Sequence, residues 1–331
     1  MKKIILSICI FLLFLSGCSG DTNIGEDREV VVYTSVDQHI AEEILNDFED
    51  ETGIKVLPVY DIEASKTTGL ANRLISEKDN PQGDVFWSSE IIMTLKLKEE
   101  GVFQPYISEQ GSDIPESYKD KDGYWTGFGG RARVMIVNKD IFNNGEYPSS
   151  VYDLTDEKYM DYKKAVAYPM FGTTLTHLFV MSQNWGMDEA VQYFLDAQDN
   201  NTLIVDGNSV VRDLVASGEV AFGITDTDDA FAAVKDGKPV EVLYLDQDSI
   251  GTLVIPNTVG LINGCSNSEE GKIFMDYILN KDTEDKLIEM GFIDISLNDQ
   301  EPDIKFLECD FQKAYENSEE LLEEIQNALL R

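Results

Sequence analysis

The chain has 331 residues and a formal net charge of −36 at pH 7, from 26 Lys and Arg against 62 Asp and Glu. A field of that sign repels nucleic acid and anionic lipid, so neither is expected as a partner of the folded body. Apolar residues make up 43% and aromatics 10%, which excludes a disordered chain, and the length suits one large or two medium domains with ample core.

Met1-Lys2-Lys3 precede an apolar run over residues 4–15 and then Ser16-Gly17-Cys18. A basic start, a short apolar run and small residues read as a secretory signal over residues 1–17. The run is too short for a spanning helix, which needs ~20 residues. Leu15-Ser16-Gly17-Cys18 resembles the lipobox of bacterial lipoproteins. That resemblance implies that Cys18 is the first mature residue and carries lipid, with residues 18–28 as a polar tether. The protein is then extracytoplasmic and held to the cell membrane through Cys18. Loss of Lys2 and Lys3 leaves 24 basic against 62 acidic residues. Cys265 and Cys309 are the cysteines left for the folded body, either as one disulfide or as two buried thiols. There is no CxxC spacing and there are two histidines, which argues against a zinc site.

Residues 30–35 form a β-branched run, expected as a buried strand. Ile40, Ala41, Ile44, Leu45 and Phe48 then mark a helical stripe, closed by Thr52-Gly53. Further strands are expected over 54–59 and 84–87, with a helix over 66–76 between them. The resulting β-α-β-α-β order predicts a parallel sheet covered by helices. The alternation continues, with strands over 132–138, 165–168, 220–224, 240–245 and 252–255. Helices are expected over 174–185, 188–197, 210–217, 269–279, 283–290 and 318–330. This much α/β structure predicts two lobes, with a ligand cleft where the carboxyl ends of the strands carry loops. We place lobe 1 at residues 29–132 plus 258–290 and lobe 2 at 133–257. Crossing strands at 132–138 and 252–262 would join them, and the helical segment 291–331 is left unassigned to a lobe.

Val31-Val-Tyr-Thr-Ser-Val-Asp-Gln38 with Thr52-Gly-Ile-Lys-Val56 resembles the start of a bacterial extracellular solute-binding protein, in particular the ferric-ion-binding family of ABC importers. Asp84-Val-Phe-Trp-Ser-Ser-Glu90, Gly130-Arg-Ala-Arg-Val134 and Arg212-Asp-Leu-Val-Ala-Ser-Gly-Glu-Val-Ala-Phe-Gly223 extend the resemblance over about 30–290. It implies a type II periplasmic-binding-protein fold without catalysis. It also implies a monomer that closes on solute and hands it to an ABC permease and its ATPase. In the ferric binders a His follows the first strand, where Asp37 stands here with His39 two residues on. A Glu follows the third strand, where Ser89 stands beside Glu90. The family's tyrosine pair falls on Thr227 and Asp228, and this chain contains no Tyr-Tyr pair.

The candidate site residues divide by chemistry. Asp37, Glu90 and Asp228 could hold Fe3+ as transported cargo through hard oxygen ligands. They, with Asp226 and Thr227 in the loop Thr225-Asp-Thr-Asp-Asp229, could equally grip an ammonium group or cap helices. Lys66, Thr67, Thr68, Thr173 and Thr174 open expected helices and offer hydroxyls and free amides to an anion. Gln38, Ser88, Ser89 and Arg131 or Arg133 add donors. These two groups together suit a zwitterion such as 2-aminoethylphosphonate, or another organophosphate. Trp87 and Trp125 could line the cleft or belong to the core, and His177 is expected to be structural. A secreted hydrolase is the weaker alternative, since GxSxG, HExxH and P-loop motifs are all missing.

Overall fold

The computed structural model describes residues 28–61, 68–142, 145–298, 304–316 and 318–329. The expected signal, the tether up to residue 27 with Cys18, and the candidates Lys66 and Thr67 lie outside the described residues. The first third alternates β1 (Glu29–Thr34), α1 (Gln38–Thr52), β2 (Lys55–Tyr60), α2 (Thr68–Glu77), β3 (Val85–Ser88) and α3 (Ile92–Glu99). All five residues of the expected α1 stripe are buried, and Gly53 ends the helix at φ 68°, its amide bonding the Glu49 carbonyl. β1 lies between β2 and β3, parallel to both.

After β4 (Phe103–Gln104), β5 (Thr126–Asn138) runs for 13 residues. The second α/β run follows: β6 (Lys164–Ala167), α4 (Gly172–Trp185), α5 (Met187–Asp199), β7 (Thr202–Val205), α6 (Asn208–Ala216), β8 (Phe222–Asp226), α7 (Thr227–Lys235) and β9 (Val240–Tyr244). β10 (Val254–Ile262) then returns the chain, followed by α8 (Ser268–Ile278), α9 (Lys281–Glu289), α10 (Phe311–Tyr315) and α11 (Ser318–Leu329). The strand order is β2-β1-β3-β10-β5-β8-β6-β7, with β4 on β10 and β9 on β5.

β5 joins the two sheets. Its first part, 126–132, pairs antiparallel with β10, and 133–138 pairs with β8 and β9. The handover falls between Ala132, opposite Val254, and Arg133, opposite Asp226. The strand therefore starts six residues before the expected 132–138. Gly127, Gly129 and Gly130 hide that start, because glycine is depleted in strands. They are there for close approach: a Cβ on Gly127 would lie 2.8 Å from the Tyr118 carbonyl oxygen, and one on Gly130 2.5 Å from Val254 Cγ1. In the expected crossing segment 252–262, β10 pairs with β3, β4 and the first part of β5, all in the first sheet. Just before it the Leu253 carbonyl accepts the Arg133 amide (2.9 Å), so the return between sheets falls at the start of that segment.

Trp87 and Trp125 belong to the core, Trp87 with its ring 6.2 Å from that of Phe128. Cys265 and Cys309 are free thiols, each partly buried. α10 packs against both α3 and α4, and α11 against α5, so the C-terminal segment touches elements on both sides of the crossing.

Candidate functional site

Six parallel-strand ends feed helices: β1, β2 and β3 in the first sheet, β6, β7 and β8 in the second. Such carboxyl ends carry binding loops in open α/β sheets. At the first sheet, Ser35 follows β1, and its Oγ lies 3.2 Å from Ser89 Oγ and accepts the Ser89 amide at 3.0 Å. Ser88 Oγ donates to the Glu90 carbonyl at 2.7 Å. The Glu90 carboxylate accepts the amides of Ile92 (2.5 Å) and Met93 (3.0 Å), so it caps α3. Thr176 Oγ1, from α4 beyond the second sheet, reaches the same carboxylate at 3.5 Å. Burial pushes the Glu90 carboxyl up to about 7, against those hydrogen bonds.

Asp37 takes the N-cap position of α1, its carbonyl accepting the Ile40 and Ala41 amides. Gln38 is exposed and donates to Glu42 at 2.5 Å. Thr68 begins α2 and is half-buried.

At the second sheet a polar knot is sealed from water. Arg133 Nη1 lies 2.6 Å from Asp226 Oδ1, with side chains 1% and 2% exposed. Thr173 Oγ1 donates to Asp226 Oδ2 at 2.5 Å, and Asn208 Nδ2 donates to the same oxygen at 2.9 Å. Arg133 also donates to Thr173, to Thr174 and to Asn208 Oδ1. Burial alone would raise the Asp226 carboxyl, but Arg133, Arg131 and Thr173 hold it below the usual range. A buried ion pair needs its remaining polar atoms satisfied; Thr173 and Asn208 do this for Asp226, while Arg133 Nε has no hydrogen-bond partner among the described residues. Thr173, Thr174 and Asp226, read from the sequence as ligand groups, thus face Arg133 and one another. His177, from the same helix, is buried and its pKa falls to about 3 through burial and the neighbouring Arg133, so it is neutral.

Arg131 links the two ends. Its Nη2 donates to the Ser89 carbonyl at 2.6 Å, and its Nη1 pairs with Asp228 Oδ2 at 3.0 Å. The guanidinium also lies over the Phe292 ring at 5.6 Å. Its Nε is buried and has no hydrogen-bond partner among the described residues. Burial works against this charge, yet Asp228 and Asp226 keep the guanidinium protonated. Beside it, Thr227 Oγ1 accepts the Ala132 amide at 3.0 Å and donates to Asp294 Oδ1. Asp229 pairs with Arg212 at 3.0 Å, and its carboxyl is pushed up to about 7 by burial and by Asp228 and Asp226.

The structure therefore gathers Ser88, Ser89, Glu90, Arg131, Asp226, Thr227, Asp228, Thr173 and Thr174 around the handover in β5. Asp37, Glu90 and Asp228 do not form a ready ligand set. Glu90 is spent on α3 amides and Asp228 on Arg131. No group of three or more His, Cys, Asp or Glu stands where it could hold a metal ion, among the described residues. Asn208, Tyr244 and Asp294 escaped sequence reading. Asn208 carried a usable signal, as a polar residue opening a helix after a strand, like Thr173. The other two carried none.

Two runs of α/β structure share the one crossing strand β5, with polar side chains gathered at its handover. The chain belongs to the bacterial extracellular solute-binding protein family, whose profile matches residues 83–317. It is similar to Iron uptake protein A1 of Synechocystis sp., with 27% identity over 271 residues, covering 78% of this chain and 72% of that protein. Among solved structures it resembles the ferric binding protein from Campylobacter jejuni (TM-score 0.79, 22% identity, 90% of this chain and 99% of that one). It also resembles the periplasmic binding protein AfuA from Actinobacillus pleuropneumoniae, solved with fructose-6-phosphate bound (TM-score 0.77, 21% identity, 91% and 98%). These likenesses carry the fold. By its family the protein is an extracellular solute-binding protein.

Proposed function

We propose that the protein captures a small solute bearing an oxyanion, of the phosphonate or phosphate-ester class, and delivers it to an ABC permease and its ATPase. One observation carries this reading: Arg131 sits at the crossing between the sheets, charged, nearly buried, its Nη1 and Nη2 on Asp228 and the Ser89 carbonyl, and its Nε without an acceptor among the described residues. A guanidinium presents a fork of donors that matches a phosphate or carboxylate. Ser89, whose carbonyl accepts from Arg131, and the start of α7, through Asp228, stand beside it. Asp228 would then turn to an amino group on a zwitterionic solute. Within this reading, residues 29–132 and 258–290 act as one lobe and 133–257 as the other. Closure brings Ser89, Arg131 and Asp228 onto the ligand.

Ferric iron is the second reading, favoured by the relatives whose names carry iron. Arg131 repels a bare trivalent cation at the point where both lobes meet, so iron would enter with an oxyanion held by Arg131. Calorimetry with 2-aminoethylphosphonate, fructose-6-phosphate and ferric citrate tests both readings. Heat with either phosphorus compound supports the first. Heat with ferric citrate alone transfers the assignment to iron.

Lipid on Cys18 would keep the receptor at the membrane beside its permease. Intact-mass analysis of membrane-extracted protein should show a diacylglycerol-sized increment that Cys18→Ser removes. An unmodified mature mass would end that part of the proposal.

A further inference from the structure

Residues 292–298, between α9 and the C-terminal helices, cross beside the handover in β5. Ile295 pairs with Gly130 through both backbone bonds, at 2.7 and 3.1 Å. On one side this strap is anchored by Glu284 of α9, which is fully buried. The Glu284 carboxylate accepts the amides of Gly129 (2.7 Å), Leu297 (2.8 Å) and Asn298 (3.2 Å), together with Ser296 Oγ and Asn298 Nδ2. On the other side the strap reaches across through Asp294. Its two carboxylate oxygens accept from Thr227 Oγ1, the first residue of α7, and from the Tyr244 hydroxyl at the end of β9 (3.0 Å). Phe292 of the same strap lies under the Arg131 guanidinium. Asp294 thus stands between an anchor in the first half of the fold and two elements of the second.

We propose that Asp294 is a positioning residue: it ties the strap to the start of α7 and so sets where Asp228 meets Arg131. Thr227 and Asp228 are consecutive, so the Thr227–Asp294 bond fixes the backbone from which the Asp228 side chain projects. The groups facing Asp294 are the Thr227 hydroxyl and Asp228 carboxylate from α7, the Tyr244 hydroxyl from β9 and the Ala132 amide from β5. Burial and Asp228 push its carboxyl up to about 6. Because burial raises this carboxyl, the closed strap binds the proton more tightly than an opened, solvated one, so the closed state is favoured below that pH.

The test requires no ligand and uses the whole chain. Hydrogen exchange is read on the peptide covering α7, with those covering α5 and α8 as internal references. Asp294→Ala should raise exchange in α7 about tenfold, the size of one net hydrogen bond of ~1.4 kcal/mol, and leave α5 and α8 unchanged. In the unsubstituted protein, α7 exchange corrected for intrinsic rate should fall as pH falls from 7.5 to 5. Asp294→Asn should make that profile shallower, leaving the part due to Asp229, and Tyr244→Phe should keep it. An α7 rate unmoved by Asp294→Ala overturns the proposal. So does a rise shared equally by α5 and α8, which is what a purely structural role gives, or an unaltered pH profile in Asp294→Asn.

Discussion

Arg131 and Asp228 face each other at 3.0 Å across the point where β5 passes from one sheet to the other. The same guanidinium holds the Ser89 carbonyl of the first sheet at 2.6 Å. One side chain therefore touches both halves of the fold, and Asp228 stands where an oxyanion would compete for it. Replacing Arg131 by Ala should weaken binding of the oxyanion-bearing cargo at least ~30-fold, the loss of a charge-assisted contact worth ~2 kcal/mol. Arg131→Lys should recover little, because a point charge cannot hold Ser89, Asp228 and a ligand together. Titration calorimetry on both variants measures this, and full affinity in Arg131→Ala would remove Arg131 from the site.

The Arg133–Asp226 pair acts on stability. Asp226→Ala leaves a buried guanidinium without its counter-charge, a loss of ~3–5 kcal/mol. Replacing both residues by apolar ones should cost less than Asp226→Ala alone. Urea unfolding of the two variants decides the order.

Glu90 gives the fold a pH dependence with a definite sign. Its carboxyl rises from an ordinary 4.5 to about 7 on folding, so the native state binds the proton more tightly than the unfolded chain. The associated stability is full below about 4.5 and is lost as pH rises through about 7. The span amounts to roughly 3 kcal/mol. In Glu90→Gln the fall in stability between pH 4.5 and pH 8 should shrink by about that amount, as followed by urea midpoints across the range. An identical pH slope in the two proteins would contradict this account of Glu90.

Gly129 holds φ at +44°, and a Cβ there would come 2.2 Å from Ile293 Cδ1. Gly129→Ala should therefore cost more than the ~1 kcal/mol of left-handed strain alone, because Ile293 must also move. Gly53→Ala, at φ +68° with nothing near its Cβ, isolates the strain. Thermal midpoints should fall further for Gly129→Ala than for Gly53→Ala.

Much of this architecture was readable from residue pattern. The α1 stripe and its Gly53 stop, the β-branched run of β1 and the acidic turn before α7 all carry local signals that the fold keeps. β5 was only half visible, because three glycines needed for close packing disguised its first part. The site was legible as a set of residues and not as a set of partners. Thr173, Thr174 and Asp226 looked like groups offered to a ligand, and only the tertiary pairing of β5 with β8 brings Arg133 onto them. Asp294 and Glu284 had no local signal. Their roles come from a strap, Phe-Ile-Asp-Ile-Ser-Leu-Asn, whose apolar–polar alternation reads as a short strand and carries no sign of its partners. What it touches is far away along the chain.

The sharing of β5 between both sheets also governs how the molecule comes apart. The first sheet needs residues from before 132 and from after 254, so no cut inside the second half yields a complete first half. Fragments ending near residue 200 should be degraded, not secreted as a half-receptor. The intact chain should melt as a single cooperative unit, whereas a bead-on-string arrangement would melt in two steps. Opening and closing can then bend this strand, but the two halves have no route to separate existence, during synthesis or in evolution by simple truncation.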